Sequence, residues 1–109
     1  MASKTFHIAP ADMKPLALGR GACIASDRIV VDGKPVGYMY REAPANPHDS
    51  GWRFLAGDED EAYMAVSSHH SVYAVNTVAN YSPTILAVLD APEGSAFERT
   101  ADGAYQPAR

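Results

Sequence analysis

Glycine, proline and aspartate interrupt this chain so often that only short elements fit between them. Pro10 and Pro15 prevent a long helix in the first twenty residues, and Gly19 and Gly21 bracket the end of that stretch. Asp32-Gly33 stands between the apolar residues Ile29, Val30 and Val31 and a second run over residues 36–41. That is a hairpin-turn signal, because glycine tolerates positive φ. Pro44, Asn46, Pro47, Asp49, Ser50 and Gly51 make residues 43–51 a loop. Strands are expected over residues 22–25, 29–31, 36–41, 52–55, 72–75 and 96–99, with residues 104–106 pairing back after the Asp102-Gly103 turn. One short helix is expected over residues 58–66. A second starts at Ser82-Pro83, with Ile85, Leu86, Val88 and Leu89 on one face. Residues 76–81 fit neither period. This punctuation predicts a single α+β domain with a mostly antiparallel sheet and two short helices, over residues 21–109. Residues 1–20 form an irregular arm before it.

Charge and composition exclude several function classes. Nine basic and thirteen acidic side chains give a formal net charge of −4. Arg20, Arg28, Lys34, Arg41, Arg53 and Arg99 are scattered singly, whereas a phosphate-binding surface needs them clustered, so nucleic acid is not an expected partner. Residues 1–20 hold no continuous apolar run of the kind a secretory signal needs. The longest aliphatic run, residues 85–89, is far short of the roughly 20 residues that span a bilayer. The chain is expected to be cytoplasmic, with no membrane partner. Cys23 is the only cysteine, so no internal disulfide forms. Its apolar neighbours favour a buried small hydrophobe over a nucleophile.

The densest cluster of polar chemistry follows the only tryptophan. Trp52-Arg53-Phe54-Leu55 alternates like a strand, Gly57 ends it, and Asp58, Glu59, Asp60 and Glu61 form four consecutive carboxylates. As a calcium loop the run fails, since counting from Asp58 the sixth residue is Tyr63 rather than glycine and the twelfth is His69 rather than glutamate. As a helix start it succeeds. Asp58 fits the N-cap, and Glu61 three residues later completes a capping box. Carboxylates in that first turn gain roughly 0.3–1 kcal/mol each from the helix dipole. A helix start leaves outer carboxylates exposed, so Trp52, Asp58, Glu59, Asp60 and Glu61 form a candidate partner surface.

Other chemistry is sparse. His69 and His70 are adjacent, which points their side chains apart on a strand, and serines flank them, so no metal site is assigned. There is no G-x-S-x-G elbow, phosphate-binding P-loop or G-x-G-x-x-G fingerprint, and no catalytic residue or cofactor is expected. Arg41, Arg53 and Arg99 are expected to pair with local acids. Asn76 and Asn80, four apart, are expected to satisfy backbone groups in a turn.

Several stretches together resemble successive motifs of one bacterial family. They are Ser26-Asp27-Arg28-Ile29, Gly37-Tyr38-Met39-Tyr40-Arg41-Glu42, Asp49-Ser50-Gly51-Trp52-Arg53-Phe54 and Gly57-Asp58-Glu59. Asn76-Thr77-Val78-Ala79-Asn80-Tyr81 and Gly94-Ser95-Ala96-Phe97-Glu98-Arg99 complete the set. In order and spacing they are similar to the immunity-protein-33-like domain, over about residues 22–99. The resemblance implies a small cytoplasmic, non-enzymatic protein that binds and neutralises a cognate toxin, and it implies no catalytic residues. The residues leave two alternatives open. One is a small-molecule or metal-binding module centred on His69, His70 and the carboxylates. The other is a regulatory domain with an unrelated protein partner.

Overall fold

In the computed structural model, which describes residues 5–108, six strands form one mixed sheet. They are β1 (Ala22–Ser26), β2 (Tyr38–Arg41), β3 (Asp49–Leu55), β4 (His70–Ala74), β5 (Ala96–Arg99) and β6 (Tyr105–Pro107). Their order across the sheet is β4-β1-β3-β2-β5-β6. β1 and β3 run parallel, and the other four ladders are antiparallel. The α+β class holds, with a sheet that is mixed rather than purely antiparallel. Three α-helices are present among the described residues: α1 (Asp27–Val30), α2 (Glu61–Met64) and α3 (Val75–Tyr81). Residues 1–4, the start of the expected arm, and residue 109 lie outside the described residues.

The parallel ladder exists because the expected first hairpin does not form. Ser26 accepts a hydrogen bond from the Arg28 N–H at 3.2 Å and caps α1, so Ile29 and Val30 turn helical and are fully buried. Asp32-Gly33 then closes this helix. The Gly33 N–H donates to the Ile29 carbonyl at 3.0 Å, and Gly33 takes φ +79°, the left-handed conformation that favours glycine after a helix end. The returning strand starts at Tyr38 rather than at residue 36, and β3 inserts between β1 and β2. Gly37 makes that insertion possible, since a Cβ there would lie 1.9 Å from the Ala56 carbonyl oxygen.

Residues 76–81, which fit neither period, fold as α3. The Asn76 Oδ1 accepts from the N–H groups of Leu16 and Ala17, both at 2.7 Å, and Asn80 Oδ1 accepts from the Lys14 N–H at 2.8 Å. Both asparagine amides donate to the Lys14 carbonyl at 2.9 Å. The Tyr81 hydroxyl accepts from the Ile8 N–H and donates to the Val30 carbonyl. Residues 7–17 are thus strapped across α3. The asparagines do satisfy backbone groups, mainly of the N-terminal segment, while Asn80 Nδ2 also donates to the Asn76 carbonyl of their own segment at 2.9 Å.

The Ser82-Pro83 signal starts a 3-10 turn, Pro83–Ala87, rather than an α-helix. Ser82 makes no cap bond. Its hydroxyl accepts from the Val36 N–H at 3.2 Å and lies 3.1 Å from the Tyr105 hydroxyl, tying β6 to the entry of β2. Ile85 and Leu89 are buried, while Leu86 faces solvent, because the tighter turn breaks the expected common face.

α1, α3 and the Pro83–Ala87 turn cover one side of the sheet only. Cys23, Ala25, Met39, Trp52 and Phe54 point from the strands into this core and meet Ile29, Val30, Val75, Val78, Ala79, Ile85 and Leu89. Each large apolar side chain buried this way contributes roughly 1.5–3 kcal/mol.

Candidate functional site

The acidic run divides among four local roles. Asp58 pairs with Lys34 at 2.5 Å and Arg28 at 3.1 Å, and Lys34 first and then Arg28 hold its carboxyl below the ordinary range. The Glu59 carboxylate turns back to accept from the Ala56 N–H at 2.8 Å and the Gly57 N–H at 2.9 Å. Burial pushes Glu59 up, but the Ala56 N–H, the Ser26 hydroxyl and the Gly57 N–H outweigh it, so its carboxyl is also lowered. Asp60, not Asp58, is the N-cap of α2 and accepts from the Tyr63 N–H at 2.8 Å. Glu61 stands in the exposed first turn. The helix start is therefore present but displaced by two residues, because the two cations opposite Asp58 claim its carboxylate. α2 stops at Met64, short of the expected residue 66, and Met64 and Val66 are exposed.

The rest of that segment is fixed by stacking. The Arg28 guanidinium lies 4.4 Å over the Tyr63 ring, and His69 stacks on the same ring at 4.0 Å. His69 Nδ1 is 2.9 Å from the Tyr63 carbonyl, while His70 meets the ring edge at 6.0 Å. The two histidines do not converge on one point. Among the described residues no three His, Cys, Asp or Glu side chains group to hold a metal ion.

Trp52 is placed elsewhere. It is 2% exposed, stacks on Phe54 at 6.0 Å and donates from Nε1 to the Leu89 carbonyl at 3.2 Å. Arg41 covers its ring at 5.6 Å and donates to the Ser50 and Ala91 carbonyls. Arg41 thus binds carbonyls rather than the expected acid. Trp52 belongs to the core layer, and the four carboxylates lie at the end of the sheet, so the structure does not bring the five residues into one patch.

The opposite side of the sheet carries a group of residues that the sequence reading did not assemble. Register aligns Val72, Ile24, Arg53, Tyr40 and Ala96 in one cross-strand row, and Leu55, Tyr38, Glu98 and Gln106 in the next. Neither α1 nor α3 covers these rows, and Met64 of α2 reaches the second beside Tyr38, Leu55 and Glu98. Val72 is 68% exposed and Ile24 36%. Arg53 is 7% exposed, and its charge is neutralised where it lies. It donates to Glu42 at 2.8 Å and, through two nitrogens, to both Asp49 oxygens at 2.9 and 2.8 Å. That bidentate contact is the main force holding the Asp49 carboxyl well below the usual range. The alternation of Tyr38 and Tyr40 signals this face, but the bulge that sets Arg53 against Asp49 leaves no simple periodicity.

Cys23 is a core residue. Burial is the main influence pushing its thiol up to about 12, so no reactive thiolate forms near neutral pH. No helix among the described residues is long and apolar enough to cross a membrane.

The family model described as the Immunity protein Imm33 domain matches residues 23–109. Neither a curated protein nor a solved structure matches the chain.

Proposed function

The chain belongs to the Imm33 immunity-protein family, and on that premise we propose that it is a non-enzymatic cytoplasmic protein that binds and neutralises a cognate toxin. The observation that carries this reading is the family match, which runs from Cys23 in β1 through β6. The binding unit in this reading is residues 21–109, with the preceding residues as an accessory arm. The chemistry of the surface agrees. Its polar clusters are engaged in capping, ion pairing and stacking, which leaves an acidic outer rim for a basic partner. The acidic segment from Asp58 to Glu61 forms part of the contact surface, and Glu61 is its most available carboxylate. Trp52 contributes only through the core, by anchoring β3 to Leu89.

Coexpression with the toxin encoded beside this chain tests the proposal. Restored growth of the producing cells and a copurifying stoichiometric complex are expected. A toxin that stays lethal, with no complex on gel filtration, would overturn it.

A further inference from the structure

Resting on the immunity reading, we infer that the toxin docks on the uncovered face of the sheet and places a lysine or arginine side chain in the cavity beside Tyr38. Three observations support this placement. First, neither α1 nor α3 packs on this face, and apolar side chains stand on both sides of the Arg53 ion-pair cluster at its middle. Val72, Ile24, Leu55 and Tyr40 run across four adjacent strands, while α1, α3 and the core lie on the other side. Val72 and Ile24, the exposed apolar pair at the β4 side, are side chains that a partner surface would cover.

Second, its charge has one sign. The only Lys or Arg among the strand residues of that face is Arg53, which is buried and held by Asp49 and Glu42. Glu42 and Asp49 hold that single cation, and Glu98 and Glu59 stand at the cavity in the neighbouring row. The occupant that complements this face is a protein surface that carries both cations and apolar side chains. A nucleic acid would be repelled.

Third, a cavity of about 280 Å³ opens on the same face, lined by Gly37, Tyr38, Leu55, Glu59, Met64 and Glu98. Its walls are the Tyr38 ring, Leu55 and the 42% exposed Met64, and its two charged groups are carboxylates. An aliphatic stem fits against Met64 and Leu55, with its cation beside Glu98 and the Tyr38 ring. Glu59 is held in place by the Ala56 and Gly57 N–H groups, so it is preorganised for such a guest.

The experiment measures binding of the purified toxin encoded beside this chain to Val72→Arg, Glu98→Lys and Thr84→Arg. Thr84 is exposed on the helical side and serves as the control. Each of the first two variants is expected to weaken Kd by about tenfold or more, with the loss in on-rate relieved by salt, while Thr84→Arg binds normally. Thermal melts check that each variant folds, and hydrogen exchange of the wild-type complex should slow the amides of β2 and β4. A wild-type complex that neither substitution weakens overturns the docking site and leaves the immunity reading standing. Absence of any wild-type complex overturns both. A wild-type dimer that Val72→Arg splits overturns it too, by assigning the face to a second copy of the chain.

Discussion

Arg53 grips the carboxylate of Asp49 from four residues further along the same strand. In a regular strand those residues would stand roughly 13 Å apart, at about 3.3 Å per residue. Here Ala22 pairs with Asp49 and Ile24 with Arg53, so four steps of β3 span two steps of β1 and two residues are extra. The bulge passes through Gly51 at φ +86°, where a Cβ would lie 2.1 Å from the Glu42 carbonyl oxygen. The bulge is what turns an alternating strand into a closed ion-pair cluster.

Arg53→Ala is therefore expected to destabilise the fold by about 3 kcal/mol, since it strands the Asp49 carboxylate in a buried position. Urea unfolding monitored by Trp52 fluorescence measures it. A loss below about 1 kcal/mol would mean the cluster behaves like an ordinary surface ion pair.

The same pair predicts the acid response. The folded Asp49 carboxyl titrates below its unfolded value of about 3.9, because Arg53 stabilises the charged form. A depressed carboxyl stabilises the fold fully above the unfolded value. That contribution is lost as pH falls through this value towards the folded one. Stability should decline below about pH 5, and Asp49→Asn should flatten that decline while lowering stability at pH 7. Unfolding free energies between pH 7 and pH 3 decide it, and identical slopes in the two proteins would refute the assignment.

Asn76 is the strap that holds the N-terminal segment on α3. Asn76→Ala removes the acceptor of the Leu16 and Ala17 N–H groups, with an expected cost of about 1–2 kcal/mol. Amide exchange at Leu16 and Ala17 should accelerate more than exchange in β3. Uniform acceleration throughout the chain would point to global destabilisation instead.

Within the acidic run, Asp60→Ala should cost about 1 kcal/mol through the lost cap. Glu61→Ala should stay within about 0.5 kcal/mol of wild type, as an exposed surface change does. Thermal melts of the two variants at equal protein concentration compare them, and the reverse ranking would restore the cap to another residue.

Short apolar alternation and turn residues made the α+β class, the strands β1, β3 and β5 and the buried role of Cys23 readable from the residues. The order of the strands was hidden. Ile29-Val30-Val31 before Asp32-Gly33 has the composition of a strand and turn, and only the Ser26 cap tips it into a helix. Local competition of that kind is decided by tertiary burial, since Ile29 and Val30 fill the core under α3. The acidic run was legible as a helix start but misplaced, because Arg28 and Lys34 reach Asp58 from 30 and 24 residues away. The uncovered face depends on register between non-adjacent strands, which no stretch of one strand encodes.

The parallel pairing of β1 with β3 also sets the order of events during synthesis. β1 leaves the ribosome early, yet neither of its neighbours is the next strand made. Its ladders wait for residue 55 on one side and residue 74 on the other, and the N-terminal segment waits for Tyr81. Contacts of such sequence separation close slowly. Until β4 emerges, β1 keeps one edge unpaired. The sheet therefore closes on both sides of β1 only after residue 74, and the N-terminal segment docks only after Tyr81.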